Sequence, residues 1–254
     1  MKNIIATIVC LLFLLSCTKQ QTSANNIATS SADNSTTSTI QFSGYTWNVK
    51  NGSHLGPGPN YWSRNNVWVD VNGFLHLKIT KDLATEKWYC AEVSTQQSFG
   101  FGKWQFWVEG RIDKMDKNVV LGLFNYSGND GFDEMDIEWA RWGNKNYPNC
   151  NYTVWPAQTG FNNYSYTKEV ALTGKNTTQR FTRTGSSVAF QSLQGFTNNT
   201  GTNNVIASAT CTNPPNSIST LQMPAYINLW LFQGHAPEDG KEIEIIIHKF
   251  TYTP

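Results

Sequence analysis

The stretch Gly131-Phe-Asp-Glu-Met-Asp-Ile-Glu-Trp139 alternates acidic and apolar side chains from Glu134 onward. Residues i, i+2 and i+4 of a strand share one face. A strand here therefore gathers Glu134, Asp136 and Glu138 on one side and turns Met135 and Ile137 toward a core. The same period of two runs through Val67 and Val69, through Leu75, Leu77 and Ile79, through Trp104, Phe106 and Val108, and through Ile243, Ile245 and Ile247. Turn chemistry at residues 70–73, 127–131, 173–175 and 213–216 punctuates these runs. No segment carries the period of a long amphipathic helix, and no repeat of roughly 20 to 50 residues points to a propeller or solenoid. The pattern predicts an all-β chain, many antiparallel strands in a two-sheet sandwich.

Composition narrows the function. The chain has 254 residues, with 19 Lys and Arg against 18 Asp and Glu, a formal charge of +1. Such a balance offers no basic stripe for phosphate contacts, so nucleic acid is not an expected partner. Ten Trp, ten Tyr and 14 Phe supply one large core and leave aromatic surface over. Aromatics this dense, with only 15% charged residues, are more than a core needs.

The N-terminus predicts export. Lys2 precedes an apolar run, residues 4–15, too short for a permanent membrane span, and Leu14-Leu15-Ser16-Cys17 resembles the bacterial lipobox. Residues 1–16 are read as a lipoprotein signal peptide, with Cys17 as the acylated new N-terminus. Residues 17–39, nearly free of bulky side chains, are read as a flexible tether. Residues 40–254 form the expected domain, a monomer anchored to the bacterial cell envelope through lipid. Cys90, Cys150 and Cys211 remain within it and allow at most one internal bridge, with three possible pairings. His54, His76, His235 and His248 are scattered without ligand spacing, so neither metal nor cofactor is expected.

Three carboxylates side by side on one strand face repel one another, and a solvated sheet face would be expected to interleave Lys or Thr. A catalytic reading fits the spacing. Four residues of strand separate the α-carbons of Glu134 and Glu138 by about 13 Å, and the two side chains leaning together leave roughly 6 Å between carboxyls. That is near the ~5–5.5 Å at which a nucleophile and an acid/base flank a glycosidic bond with retention of configuration. Asp136, between them, can share a proton and separate their pKa values.

Gly131-Phe-Asp-Glu-Met-Asp-Ile-Glu138 resembles the E-x-D-x-E signature of glycoside hydrolase family 16, whose fold is a concanavalin A-like jelly-roll β-sandwich of two antiparallel sheets. Cys90-Ala-Glu-Val-Ser-Thr95, Phe99-Gly-Phe-Gly102, residues 119–128 and Asn228-Leu-Trp230 follow in the family's order. The resemblance implies Glu134 as nucleophile, Asp136 as helper and Glu138 as acid/base. It also implies sugar contacts from Glu92, Phe132, Asn151, Asn228 and Trp230. Trp88 joins them as a cleft candidate because it shares strand parity with Glu92. The loop Gly56-Pro-Gly-Pro-Asn60 resembles the one that closes one side of the family's cleft. Trp62, Trp107 and Trp155 are read as core before ligand platform.

Ser94 stands where lichenases carry arginine, Thr153 where they carry tyrosine, and Tyr61 where they place the cysteine that bridges to the Cys90 position. Trp139, Arg141 and Trp142 depart from the usual Phe-Leu-Gly and are expected to reshape one end of the cleft. The triplet has no extra residue before its last glutamate, which resembles the unbulged, lichenase-like branch. The expected activity is endo-acting cleavage of β-glucan, with mixed-linkage β-1,3-1,4-glucan favoured. A non-catalytic carbohydrate-binding lipoprotein and a transglycosylase on xyloglucan-like polymers are the alternatives.

Overall fold

The computed structural model describes residues 38–198, 201 and 203–254. The signal segment, Cys17 and the tether up to residue 37 lie outside the described residues. The first layer runs, in spatial order, β1 (Ser38–Phe42), β2 (Tyr45–Val49), β7 (Trp88–Phe99), β16 (Met223–Leu231), β9 (Val119–Tyr126), β10 (Glu134–Trp139), β11 (Cys150–Trp155) and β12 (Tyr164–Lys168). The second runs β5 (Val67–Val69), β6 (Leu75–Lys81), β17 (Ile243–Thr253), β8 (Gly102–Glu109), β13 (Asn176–Arg183), β14 (Ser187–Gln194) and β15 (Val205–Thr212). All these pairs are antiparallel, as the alternation predicts. A short hairpin, β3 (Gly52–Leu55) and β4 (Asn60–Trp62), lays β4 parallel to the start of β7. There β7 also pairs with β6, Thr80 opposite Tyr89 and Lys81 opposite Trp88, so the two layers are hydrogen-bonded along one edge.

The apolar half of each alternating strand fills the space between layers. Leu75, Leu77, Ile79, Trp104, Phe106, Val108, Ile245 and Ile247 are buried at 0–1% exposure, as their spacing predicts. Met135 and Ile137 are fully buried from the opposite layer. Tyr152 of β11 stacks on Phe190 of β14 with centroids 4.9 Å apart, and its hydroxyl meets Ser192 Oγ at 2.7 Å, a polar contact that fixes one layer over the other. The turn at residues 70–73 closes because Asp70 Oδ1 accepts from the backbone N–H groups of Asn72 and Phe74. Cys90, Cys150 and Cys211 are all buried and free, so none of the three pairings is made.

Candidate active site

β10 pairs with β9 on one side and β11 on the other without a register shift along its whole length. The strand is unbulged, as its sequence predicts, and its acidic face therefore lies in straight rows across the layer. One row runs Glu92, Asn228, Gly122, Glu138 and Asn151 across β7, β16, β9, β10 and β11. The next runs Ser94, Tyr226, Phe124, Asp136 and Thr153. A third sets Tyr126, Glu134 and Trp155 side by side. With strands about 4.8 Å apart, the first row spans roughly 14 Å from Glu92 to Glu138, a transverse floor for an extended ligand.

A cleft of about 720 Å³ opens over these rows, within the range of ligand sites. Glu134, Asp136 and Glu138 stand on its floor with Glu92, Asn228 and Trp230, so six of the nine proposed catalytic and sugar-contacting residues come together. Gly56, Pro57 and Gly58 form a wall, which is where the family resemblance places that loop. Asn60 holds the loop by donating to Pro57 O at 2.8 Å and Leu231 O at 2.9 Å. Gly122 is glycine for a steric reason. A Cβ there would come within 2.4 Å of Asn228 Oδ1, so any larger residue would displace the amide from the row.

Three of the proposed contacts fall elsewhere. Trp88 has the parity of Glu92 but lies where β7 is still paired with β6, at the joined edge, and packs against the core instead of the cleft. Parity fails as a guide because β7 has not yet entered the first layer. Asn151 sits beside Glu138 but turns its amide onto backbone, donating to Ala140 O at 3.0 Å and more weakly to Glu138 O and Pro148 O. It secures the end of the catalytic strand. Phe132 lines a neighbouring groove with Trp155. Of the departures at and beyond the end of β10, Trp139 is fully buried and Arg141 pairs with Glu169, while Trp142 lies tilted at 59° to Trp230, centroids 6.2 Å apart. Only Trp142 therefore bears on the end of the cleft.

The cleft also contains residues that the motifs did not indicate. Phe124 and Tyr226 stack at 5.0 Å and 17°, with Tyr126 edge-on to Tyr226, giving an aromatic shelf beside Asp136. The Tyr126 hydroxyl donates to Asp130. Alternation from Asn228 back to Tyr226 was a usable signal. Lys50 had none. It follows β2, where its backbone N–H donates to Glu92 O at 3.0 Å, and its ammonium reaches Glu92 Oε1 at 2.8 Å and Gly56 O while lying 4.3 Å from the Trp62 ring centroid. Glu92 also accepts from Asn228 Nδ2 at 3.1 Å.

These partners set the protonation states. Burial raises the pKa of Glu92, and Lys50 and Asn228 oppose that rise. Burial, together with the negative charges of Asp130 and Glu92, pushes Glu134 up to about 7, while a hydrogen bond from Asp136 pulls the other way. Asp136, 4% exposed, is raised well above the usual carboxylate range by burial and by its two glutamate neighbours. Its interaction with Glu134 raises Asp136 and lowers Glu134, and the Trp155 indole N–H donates to Asp136 Oδ2 at 3.1 Å. Burial, then the charge of Glu134, pushes Glu138 up to about 8. The order suits an ionisable nucleophile and a protonated acid.

Removing the Lys50 charge should leave Glu92 without its counterion. Lys50→Met is expected to cost about 2 kcal/mol in chemical denaturation, and adding Glu92→Gln should recover part of that loss. A double variant no more stable than the single one would show that Lys50 acts by packing alone.

Comparison with solved structures decides the fold. A β-glucanase of Bacillus licheniformis matches with a TM-score of 0.62 over 82% of this chain and 92% of that chain, at 18% identity. A β-1,3-1,4-glucanase (lichenase) derived from a mouse hindgut metagenome matches at 0.60, with 19% identity over 82% and 92%. The chain has the β-glucanase fold. A Mycobacterium tuberculosis protein described as an immunostimulatory antigen and pseudo β-1,3-glucanase shares this fold at 0.60, with 18% identity over 82% and 91%. No family model and no curated protein matches the sequence. Within the glucanase fold the catalytic candidates of this chain occupy the middle of the first layer, three strands from Glu92.

Proposed function

We propose that the chain is a retaining, endo-acting glycoside hydrolase of family 16 that cleaves neutral β-glucan. The observation that carries this is the set of three carboxyls, Glu134, Asp136 and Glu138, successive on one face of a bulge-free strand at the floor of an aromatic-lined cleft. Ionised Glu134 attacks the anomeric carbon as Glu138 gives its proton to the departing glycosidic oxygen. Glu138 then takes a proton from water, whose oxygen displaces Glu134 from the ester. Asp136 holds Glu134 by the shared proton. Phe124, Tyr226 and Trp230 offer flat apolar faces to pyranose rings, and Glu92 with Asn228 offers acceptors and donors to hydroxyls.

Mixed-linkage β-1,3-1,4-glucan is the favoured substrate, on the unbulged register of β10 and the lichenase among the proteins of like fold. Ser94 and Thr153, two departures from the lichenase pattern, stand at opposite ends of the transverse row through Asp136, so one or two subsites differ from that pattern. The test is reducing-end release from a panel of purified polysaccharides, with proton NMR of the first products. Mixed-linkage glucan should be cut fastest with a rapid fall in viscosity, and the new ends should appear as the β-anomer. Faster cleavage of laminarin would move the substrate to another branch, and an α-anomer would remove Glu134 as nucleophile. A binding-only role finds support in the pseudo-glucanase of like fold, and binding to these polymers without new reducing ends would favour it.

Anchoring to the cell envelope through lipid on Cys17 is part of the proposal, resting on the lipobox-like Leu14-Leu15-Ser16-Cys17. Cys17→Ala should move the protein from the membrane fraction to the soluble fraction and abolish labelling by a radioactive fatty acid. Unchanged fractionation would remove the anchor.

A further inference from the structure

Next to the cleft lies a second groove of about 420 Å³, built from Gly131 and Phe132 on one wall and residues 156–163 on the other, with Trp155 between them. The walls are tied together, since Asp133 N–H donates to Pro156 O at 3.1 Å. Phe132, Trp155 and Phe161 line the groove, and none of these rings stacks on another aromatic ring among the described residues. Phe161 is 43% exposed. Thr159, Asn162 and Asn163 supply the polar lining, and no charged side chain takes part. Free aromatic faces beside neutral amides and a hydroxyl suit a neutral polyol and give an ionic ligand nothing to pair with.

The groove adjoins the catalytic floor. Asp130 lines the cleft and Gly131 the groove, and the indole that lines the groove donates its N–H to Asp136. We propose that this groove is an additional sugar-binding subsite, which takes the pyranose rings of the same glycan chain beyond those over the three carboxyls, with Phe161 as a stacking platform. The proposal rests on the glycan-hydrolase reading above.

The test uses Glu134→Gln protein, titrated calorimetrically with mixed-linkage oligosaccharides from the disaccharide to the octasaccharide. Affinity should keep rising after the cleft is filled. Adding Phe161→Ala should weaken binding of the longest oligosaccharides about three- to tenfold, the scale of one aromatic contact, and leave short ones unchanged. Phe161→Tyr should restore the wild-type dependence, which separates stacking from a loss of loop structure. The same length dependence with and without Phe161→Ala would overturn the groove alone. Absence of binding at every length would overturn the glycan reading and the groove with it.

Discussion

Glu134→Gln should lower kcat on mixed-linkage glucan by at least about 10⁴-fold, because a carboxamide cannot form the glycosyl ester. Glu138→Gln should cost about 10²–10⁴-fold, the scale of general acid–base assistance. Both substitutions keep shape and remove a desolvated ionisable group from a crowded acidic strand face, so the thermal midpoint should hold or rise. Asp136→Asn should cost less than either, since Asp136 positions Glu134 and touches no reacting atom. The wild-type profile of kcat/KM should be bell-shaped. Below about 7 it falls as Glu134 takes up a proton, and above about 8 it falls as Glu138 loses the one it must donate. In Glu138→Gln the alkaline limb should disappear. Near-normal turnover in Glu134→Gln would exclude the mechanism.

Arg183→Met should be the most destabilising of the single substitutions considered. Arg183 is fully buried at the end of β13, where its guanidinium donates to Leu221 O at 2.6 Å and, at 3.4 Å, to Phe99 O and Ser219 O, and lies 5.3 Å from the Phe101 ring centroid. Burial pushes its pKa down to about 10, and the negative charges of Tyr252 and Asp133 oppose that fall. Methionine fills the space but donates nothing, so the carbonyls lose their donors together. The expected loss is about 3 kcal/mol, or roughly 6–12 °C in Tm for a domain of this size. The measurement is a calorimetric melt. A shift under about 2 °C would mean that water takes over the role of the guanidinium.

Much of this was legible in the chain, for a physical reason. Alternation is local, so Met135 and Ile137 declare their burial, and Glu134, Asp136 and Glu138 their common face, without knowledge of any partner strand. Register is not local. Nothing near Lys50 announces that the residue after β2 will fall beside Glu92, and nothing near Trp155 announces a diagonal bond to Asp136. Trp88 shows the converse error, where correct parity was projected along a strand that changes neighbours halfway. Asn151 was placed in the right row, but its amide is committed to carbonyls that only the folded end of β10 supplies.

The places of β16 and β17 have a consequence for biogenesis. These are the last two strands of the chain, yet β16 lies between β7 and β9 and β17 between β6 and β8, in the interior of the two layers. Neither layer can be completed until β16 and β17 have left the ribosome, whatever the earlier segments do meanwhile. Vectorial synthesis at roughly 5–20 residues per second therefore gives the earlier strands many seconds without their central neighbours. Until then the strands that flank them keep unpaired central edges, and the native sandwich closes only when β16 and β17 insert between neighbours made long before.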